Sequence, residues 1–197
     1  GEYHHKLLQQ LRILIKSKIK QMAQIVYQIK ILLEGSKPPI WRRIEMNPET
    51  TLSDFHKIIQ TSMGWMNGHL HHFKVDGEFY NPPSEWDEFG NDYTGIKVKD
   101  ILVEEGQNIR YEYDFGDSWL HQIKLEKIKK KDEKVSYPRC IGICGYMEFV
   151  QIMKNKKHES YEDMYEWLGR ELTPEHFEIE RVNDKLLKKN YGVFEYE

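Results

Sequence analysis

The sequence predicts an α+β domain in which a mixed β-sheet packs on one central helix. Five segments alternate between apolar and polar side chains, and one amphipathic helix with clear ends lies between the second and the third of them. The 197 residues, of which 39% are hydrophobic and 13% aromatic, suffice for one core and are too few for two ordinary ones. The predicted core order is therefore β-β-α-β-β-β, β-grasp-like by analogy, with C-terminal helices and an appended N-terminal helix.

Residues 1–24 are predicted to form an amphipathic basic helix outside this domain. The apolar residues of its stripe recur at helical spacing, and they are Leu8, Leu11, Ile15, Ile19 and Met22. Residues 1–33 hold six Lys or Arg against Glu2, a charge of +5, so the rest of the chain carries −8 of the total of −3. An exposed apolar stripe needs a packing partner, so we expect this helix to pack on the domain or on a second subunit in a homo-oligomer. The alternative is that the helix binds nucleic acid or a membrane surface.

The first half of the domain is predicted as a hairpin followed by the central helix. Residues 25–33 and 40–46 alternate with period two, and a Gly- and Pro-rich run separates them. The helix begins after Thr51, with Asp54 in the capping-box position and Gly64 as a left-handed stop. His56 lies beside its apolar stripe, and we expect it to be hydrogen-bonded rather than to bind a ligand. The stripe is formed by Leu52, Phe55, Ile59 and Met63.

The second half is predicted to hold three further strands. Residues 69–79, 108–115 and 119–128 alternate with period two, and an acidic loop over residues 76–92 follows the first of them. A short helix is expected at residues 98–103, and helices from Gly145 onward, the last carrying Leu186 and Leu187. The predicted domain spans residues 25–187, and residues 188–197 form a tail.

Composition excludes several classes of protein. A mean hydropathy of −0.74 and the lack of an apolar run of about 20 residues argue against a membrane protein. A pI near 6.3 argues against a surface that is basic throughout. Only Cys140 and Cys144 are present and no signal peptide is visible, so a cytoplasmic protein with no membrane partner is expected.

Side chains that could carry chemistry concentrate in residues 38–43, 64–73 and 111–121. In a strand, His69 and His71 project from the same face, and His121 lies on the Trp119 face of its own strand. We expect a hydrogen-bonded polar network with no cofactor. The alternative is a divalent metal held by His69, His71, His121 and Asp117.

Aromatic and guanidinium groups in the same segments favour a recognition surface, because such groups dominate binding hot spots. Trp41 and Arg43 share one strand face, opposite Ile40, Arg42 and Ile44. The predicted binding residues are Trp41, Arg43, Trp65, His69, His71, Asp114, Asp117, Trp119 and His121. If they form one site, the strand with His69 and the hairpin with His121 should be neighbours, with Trp41 or Arg43 on the wall of the cleft.

Four motifs resemble the plasmid pRiA4b ORF-3-like family. They are the P-P-I-W-R-R strand, the L-x-D-x-H-x-x-I-Q helix, the G-W-x-x-x-H-L-H-x-F strand and the Y-E-Y-D-F-G-D-S-W-x-H hairpin, in one order over residues 27–187. The resemblance implies a shared fold and relatives in bacteria and archaea, some encoded on plasmids and insertion elements. It implies no particular activity.

The chain departs from the family pattern after Tyr137-Pro138-Arg139-Cys140. A glycine-rich segment with P-P-E-D usually stands there, whereas only residues 141–144 precede Gly145-Tyr146 here. Either the protein lacks the segment or the sequence omits it at this point, and the second interpretation is preferred.

No nucleophile motif, Walker loop, dinucleotide fingerprint or H-E-x-x-H occurs. The sequence therefore favours a module that binds an unidentified ligand or protein partner, linked to mobile genetic elements by the family resemblance. The rival hypothesis is a metal-dependent hydrolase or nuclease that uses a His/Asp site. Whether the protein is an enzyme stays open at this point.

Overall fold

The computed structural model describes residues 2–22, 24–83, 90–144, 151–162, 165 and 178–193. The described helices are α1 (Glu2–Met22), α2 (Leu52–Met63), α3 (Val98–Ile101) and α4 (Ile179–Leu186), followed by a 3₁₀ turn over Lys189–Gly192. The described strands are β1 (Ile25–Leu33), β2 (Trp41–Met46), β3 (His71–Val75), β4 (Glu78–Asn81), β5 (Asn91–Asp92), β6 (Asn108–Tyr113), β7 (Trp119–Lys130) and β8 (Arg139–Cys144).

The strands form one eight-stranded sheet in the order β5-β4-β3-β6-β7-β1-β2-β8. Every neighbouring pair is antiparallel except β4 and β5, which are parallel. The mixed α+β sheet is thus as predicted, whereas the β-grasp-like arrangement is not confirmed. Strands β2 and β7 flank β1, and both run antiparallel to it.

One face of the sheet is covered by α2, and this interface holds the core. Phe55 and Ile59 of the helix are fully buried, as are Ile29 and Ile44 on the facing strands. The predicted helix ends are confirmed: the Thr51 side chain accepts from the Asp54 backbone N–H, and Gly64 ends the helix at a φ of 81°. Alternation along each strand directs the remaining side chains to the other face, called the open face below, where most of the described side chains are half-buried or exposed.

Two expectations about strands are corrected. The period-two pattern of residues 69–79 is not one strand, because Asp76 and Gly77 form a tight turn with positive φ between β3 and β4. The predicted acidic loop is correspondingly interrupted by β4 and β5, and residues 84–89 lie outside the described part. Strand β8 was not predicted from the sequence. It pairs with β2 and contains residues 141–144, where the chain departs from the family pattern.

The expected packing of the N-terminal helix on the domain is not seen in its described side chains. Leu7, Leu8, Leu11, Leu14 and Ile15 of α1 are all exposed to solvent. Packing of α1 on a second subunit stays a prediction.

Among the described residues, no helix is both long enough and apolar enough to cross a membrane. Most of the C-terminal region predicted to be helical, at residues 145–150, 163–164 and 166–177, lies outside the described residues. Helix α4 carries a buried Leu186 and ends before an exposed Leu187.

Candidate functional site

The strand that begins at His71 and the hairpin that carries His121 are neighbours in the sheet. His71 on β3 lies opposite Tyr113 on β6, and Tyr111 on β6 lies opposite His121 on β7. This register places all four side chains on the face covered by α2. The helix adds His56 from the same side, so three histidines are buried at one end of the core.

Four side chains at this end form a closed ring of hydrogen bonds. The Asn67 backbone N–H donates to Gln60 Oε1 at 2.9 Å, and Gln60 Nε2 donates to Tyr111 Oη at 2.9 Å. Tyr111 Oη lies 2.8 Å from His56 Nδ1, and His56 Nε2 lies 2.5 Å from Asn67 Oδ1, which returns the chain of bonds to its starting residue. Helix α2, strand β6 and the loop after α2 are therefore tied together.

Two atoms of Asn67, the backbone N–H and Oδ1, determine which groups donate and which accept in this ring. Because the backbone N–H can only donate, Gln60 Oε1 accepts, and Gln60 Nε2 must then donate to the Tyr111 oxygen. Asn67 Oδ1 can only accept, so His56 carries a proton on Nε2 and donates it to Asn67. Burial keeps His56 neutral by lowering its pKa to about 4, so Nδ1 carries no proton and accepts from the Tyr111 hydroxyl.

A second histidine lies against this ring. The His71 and His56 rings stack with centroids 3.4 Å apart and planes within 7°. His71 Nε2 lies 2.9 Å from Tyr93 Oη. Burial, followed by the neighbouring His56, lowers the pKa of His71 to about 2, so two stacked imidazoles coexist because neither is charged.

His121 lies on the other side of Tyr111 and is fully buried. Its Nε2 accepts from Trp65 Nε1 at 3.2 Å, and the Trp65 ring packs against Trp119 at 5.1 Å between centroids. Nδ1 of His121 has no well-aligned hydrogen-bond partner among the described residues. Burial lowers the pKa of His121 to about 4, although the backbone carbonyls of Trp119 and Tyr111 act in the opposite direction.

Above this buried layer, two loops form the end of the sheet. The Asp114 backbone N–H donates to the Leu70 carbonyl at 2.9 Å, and the Gly68 N–H donates to Tyr113 Oη at 2.9 Å. His69 is exposed, and its Nε2 lies 3.4 Å from Asp114 Oδ2. The strand begins only at His71, so His69 lies in the loop rather than on the strand face that alternation predicted.

Asp114 organises the turn before β7. Asp114 has a left-handed φ of 60°, and its Oδ1 accepts from the backbone N–H groups of Gly116 and Asp117 at 3.1 and 3.4 Å. Asp117 itself is exposed on the turn. Its side chain therefore does not lie with the buried histidines.

Trp41 and Arg43 do not line this end of the core, which corrects the expectation that one of them forms its wall. Arg42 and Ile44 of β2 face α2, so the alternation places Trp41 and Arg43 on the open face of the sheet. There Arg43 makes a bidentate ion pair with Glu126, at 2.5 and 2.9 Å. That pair lowers the pKa of Glu126 to about 2.

The four donors of the alternative metal site are dispersed. His71 faces the core stack, His121 faces Trp65, His69 pairs with Asp114, and Asp117 is exposed. Within the described ranges, no three His, Cys, Asp or Glu side chains are grouped so as to hold a metal ion.

Sequence reasoning identified His56 as a hydrogen-bonded helix residue, which is confirmed, but it missed the partners that close the ring. Gln60, Asn67, Tyr111 and Tyr93 were not singled out. A signal existed for one of them: His56 and Gln60 are four residues apart, so two polar side chains share a helix face that borders the apolar stripe.

Comparison with known proteins confirms the family resemblance. The family model described as plasmid pRiA4b ORF-3-like protein matches residues 25–181. An uncharacterised protein of Sinorhizobium fredii, y4hQ, is 30% identical over 161 residues, which cover 75% of this chain and 83% of that protein. The crystal structure of a protein of unknown function from Methanosarcina mazei Go1, MM3350, is 32% identical and superimposes with a TM-score of 0.60, covering 80% of this chain and 97% of that one.

Proposed function

The chain belongs to the plasmid pRiA4b ORF-3-like family, and we propose that it is a binding module whose ligand contacts the two loops at the end of the sheet. This loop surface is defined by Trp65, Met66, His69, Leu70, Asp114, Phe115 and Trp119. The family's description names a plasmid, which supports a link to mobile genetic elements.

The observation that carries the proposal is a rigid loop that exposes large apolar side chains. Met66 and Leu70 are 63% and 66% exposed, although Asn67, between them in sequence, is fixed by the hydrogen-bonded ring. Such exposure gains nothing for folding. A loop held by a buried network loses little conformational entropy when a ligand binds, which favours a binding role.

The chemistry of the loop surface indicates the kind of ligand. The rings of Trp65 and Trp119 supply aromatic area. The half-buried Asp114 carboxylate supplies a negative charge, and its Oδ2 lies 3.4 Å from Nε2 of the exposed His69. An aromatic body with a cationic group fits this combination, because the ring would contact the indoles and the cation would approach the carboxylate.

The proposal is tested by NMR titration of ¹⁵N-labelled protein with phenethylamine and, as its anionic counterpart, phenylacetate. We expect phenethylamine to shift the indole resonances of Trp65 and Trp119 and to leave that of Trp41, on the open face, unmoved. Phenylacetate should have a much smaller effect. Equal shifts of Trp41 and Trp65, or no preference for the cation, would contradict the proposal.

Two Asp→Asn variants provide a matched comparison. Asp114→Asn removes the charge and retains the oxygen that accepts from the turn amides, whereas Asp76→Asn makes the same change in the remote β3–β4 turn, where φ is also positive. We expect only Asp114→Asn to abolish the phenethylamine response, with unchanged melting temperatures for both. An undiminished response in Asp114→Asn would exclude the carboxylate as the recognition group.

The pair of an exposed His69 and a half-buried Asp114 favours a second candidate, a metal-dependent hydrolase or nuclease. Elemental analysis of protein purified without a nickel column distinguishes the two functions. One divalent metal per chain that is lost in His69→Ala would support the hydrolase, and its absence in chelator-free protein that still binds phenethylamine would support the binding module.

A further inference from the structure

We infer that the open face of the sheet, opposite α2, binds single-stranded nucleic acid. The inference is independent of the loop surface, since it concerns the other side of the sheet. It also differs from binding through α1, because the groups involved lie on β1, β2, β3, β4, β6 and β7.

Two adjacent rows of side chains cross the open face. In the first row the register aligns Trp41, Leu32, Gln122, Arg110, Lys74 and Phe79 across six strands. In the second row it aligns Gly142, Arg43, Lys30, Lys124 and Asn108 across five. Every residue of both rows is half-buried or exposed, so the surface is accessible.

These rows hold five cations and no carboxylate, in a chain with a net charge of −3. Arg43 pairs with Glu126 and Arg110 with Glu34, both from outside the rows. The other three, Lys30, Lys74 and Lys124, take part in no ion pair within the described ranges. Lys30 interacts electrostatically with Glu126 without forming an ion pair with it. Lysines that lack an ion-pair partner attract a polyanion.

Folding does not explain this arrangement. Lys30 lies directly between Arg43 and Lys124 on its two neighbouring strands, and Lys74 lies directly opposite Arg110. Like charges in opposed positions destabilise a sheet, so the pattern costs stability in the unbound protein. A bound chain of phosphates would remove that cost.

Aromatic rings stand at both ends of the first row. Lys30 Nζ and Arg43 Cζ lie 5.1 and 4.8 Å from the centre of the Trp41 ring, and Lys74 Nζ lies 4.9 Å from that of Phe79. The Trp41 ring is also seated against Gly142, where a Cβ would come within 3.1 Å of it. Each ring therefore lies beside at least one cation, and packing against Gly142 also holds the Trp41 ring in place.

This combination selects single strands over other polyanions. Unpaired bases can stack on aromatic rings while their phosphates contact Lys and Arg, which a duplex or an acidic peptide cannot do. Trp41 and Phe79 are five strand spacings apart, about 24 Å, so several nucleotides can lie between them. The N-terminal helix α1 of a second copy is a poor occupant of this face, because α1 is basic and would bring like charges together.

The test measures fluorescence anisotropy of labelled 12-mers of dT and U with the full-length protein. We expect both to bind and a duplex of equal length to bind at least tenfold more weakly. Because three lysines lack ion pairs, the slope of log K against log salt concentration should be about −2, at about −0.7 per cation for a single strand. Binding of the duplex as tight as that of the single strands would overturn the inference.

Charge variants locate the site. Lys30→Gln/Lys124→Gln should weaken binding about tenfold and reduce the slope to about −0.7. Two controls remove the same charge elsewhere: Lys154→Gln/Lys156→Gln on an exposed segment and Lys6→Gln/Lys16→Gln on α1, and both should bind as the unaltered protein does. If the α1 variant loses binding and the open-face variant keeps it, the site is α1 and the inference is wrong.

Aromatic variants separate nucleic acid from other polyanions. Trp41→Leu should weaken binding about tenfold, since stacking on one aromatic ring accounts for about 1–3 kcal/mol per base. Phe79→Leu, at a side chain that is already exposed, gives the same test if Trp41→Leu fails to fold. Unchanged affinity in a folded aromatic variant, or equal competition by poly-glutamate, would show a general anion surface and overturn the inference.

Discussion

Replacing Tyr111 by Phe removes one oxygen atom from the centre of the hydrogen-bonded ring. Tyr111 is fully buried, and its hydroxyl both accepts from Gln60 Nε2 and donates to His56 Nδ1. The variant leaves these two buried groups without their partner. Each unsatisfied buried polar group costs about 1–3 kcal/mol, so we expect the free energy of unfolding to fall by about 3 kcal/mol. That loss is a large fraction of the stability of an ordinary domain, about 5–15 kcal/mol.

The assay is urea unfolding at pH 7.5, with Tyr80→Phe as the matched control. Tyr80 is half-buried at the edge of the same core, and its hydroxyl makes no hydrogen bond within the described residues. Its replacement should change the free energy of unfolding by less than about 0.5 kcal/mol. Equal small losses for both variants would refute the closed ring.

A double-mutant cycle adds a check on the mechanism of the loss. Once Tyr111 is Phe, Gln60 Nε2 has already lost its acceptor, so Gln60→Leu should cost less in that background than in the unaltered protein. A coupling of at least about 1 kcal/mol is expected. Strict additivity would show that the two side chains do not share the bond.

Three further predictions follow from the buried histidines and from α1. Burial holds the pKa values of His56, His71 and His121 at about 4, 2 and 4, below the ordinary 6.5. The contribution of these histidines to the free energy of unfolding is therefore fully present above pH 6.5 and is lost as the pH drops toward 4, by up to about 4 kcal/mol per pH unit for the three together. Equal free energies of unfolding at pH 7.5 and 5.0 would contradict this prediction. His121→Ala should lower the free energy of unfolding by about 3 kcal/mol, because it opens a cavity and leaves Trp65 Nε1 without its acceptor. A His121→Ala variant of unchanged stability that loses a bound metal would instead favour the hydrolase. Deletion of residues 1–20 should change the free energy of unfolding of dilute protein by less than about 0.5 kcal/mol, since the described side chains of α1 are exposed. If the deletion lowers the molar mass measured by light scattering by more than the mass removed, a second subunit packs on α1. If the deletion makes a monomer less stable, α1 contacts the domain.

Much of the fold was predictable because its signals are local. Period two marks β1, β2, β6 and β7, and Thr51 with Gly64 marks the ends of α2, since alternation and capping depend on residues close in sequence. The β3–β4 hairpin was misread because alternation continues across the Asp76-Gly77 turn, although Asp-Gly is itself a hairpin signal.

The closed ring was beyond sequence reasoning for a different reason. Its members come from a helix, a loop and a strand, and the pairing of Tyr111 with His56 depends on how α2 lies across the sheet. Alternation gives the face of each side chain on its own strand. It does not give the register between strands, and the irregularity between Gln28 and Ile29 shifts which β7 residue meets Lys30.

The two faces of the sheet depart from simple folding requirements in opposite ways. On the α2 face, polar side chains are buried in a network that must stay neutral, so three histidines are held well below their ordinary pKa values. On the open face, cations are set opposite one another where neutral or acidic residues would be more stable. A fold selected for stability alone would avoid both arrangements, because apolar residues could replace the ring and glutamates could alternate with the lysines. Each cost is therefore best explained by a ligand on its side of the sheet, and the loop surface and the open face are expected to respond to different probes.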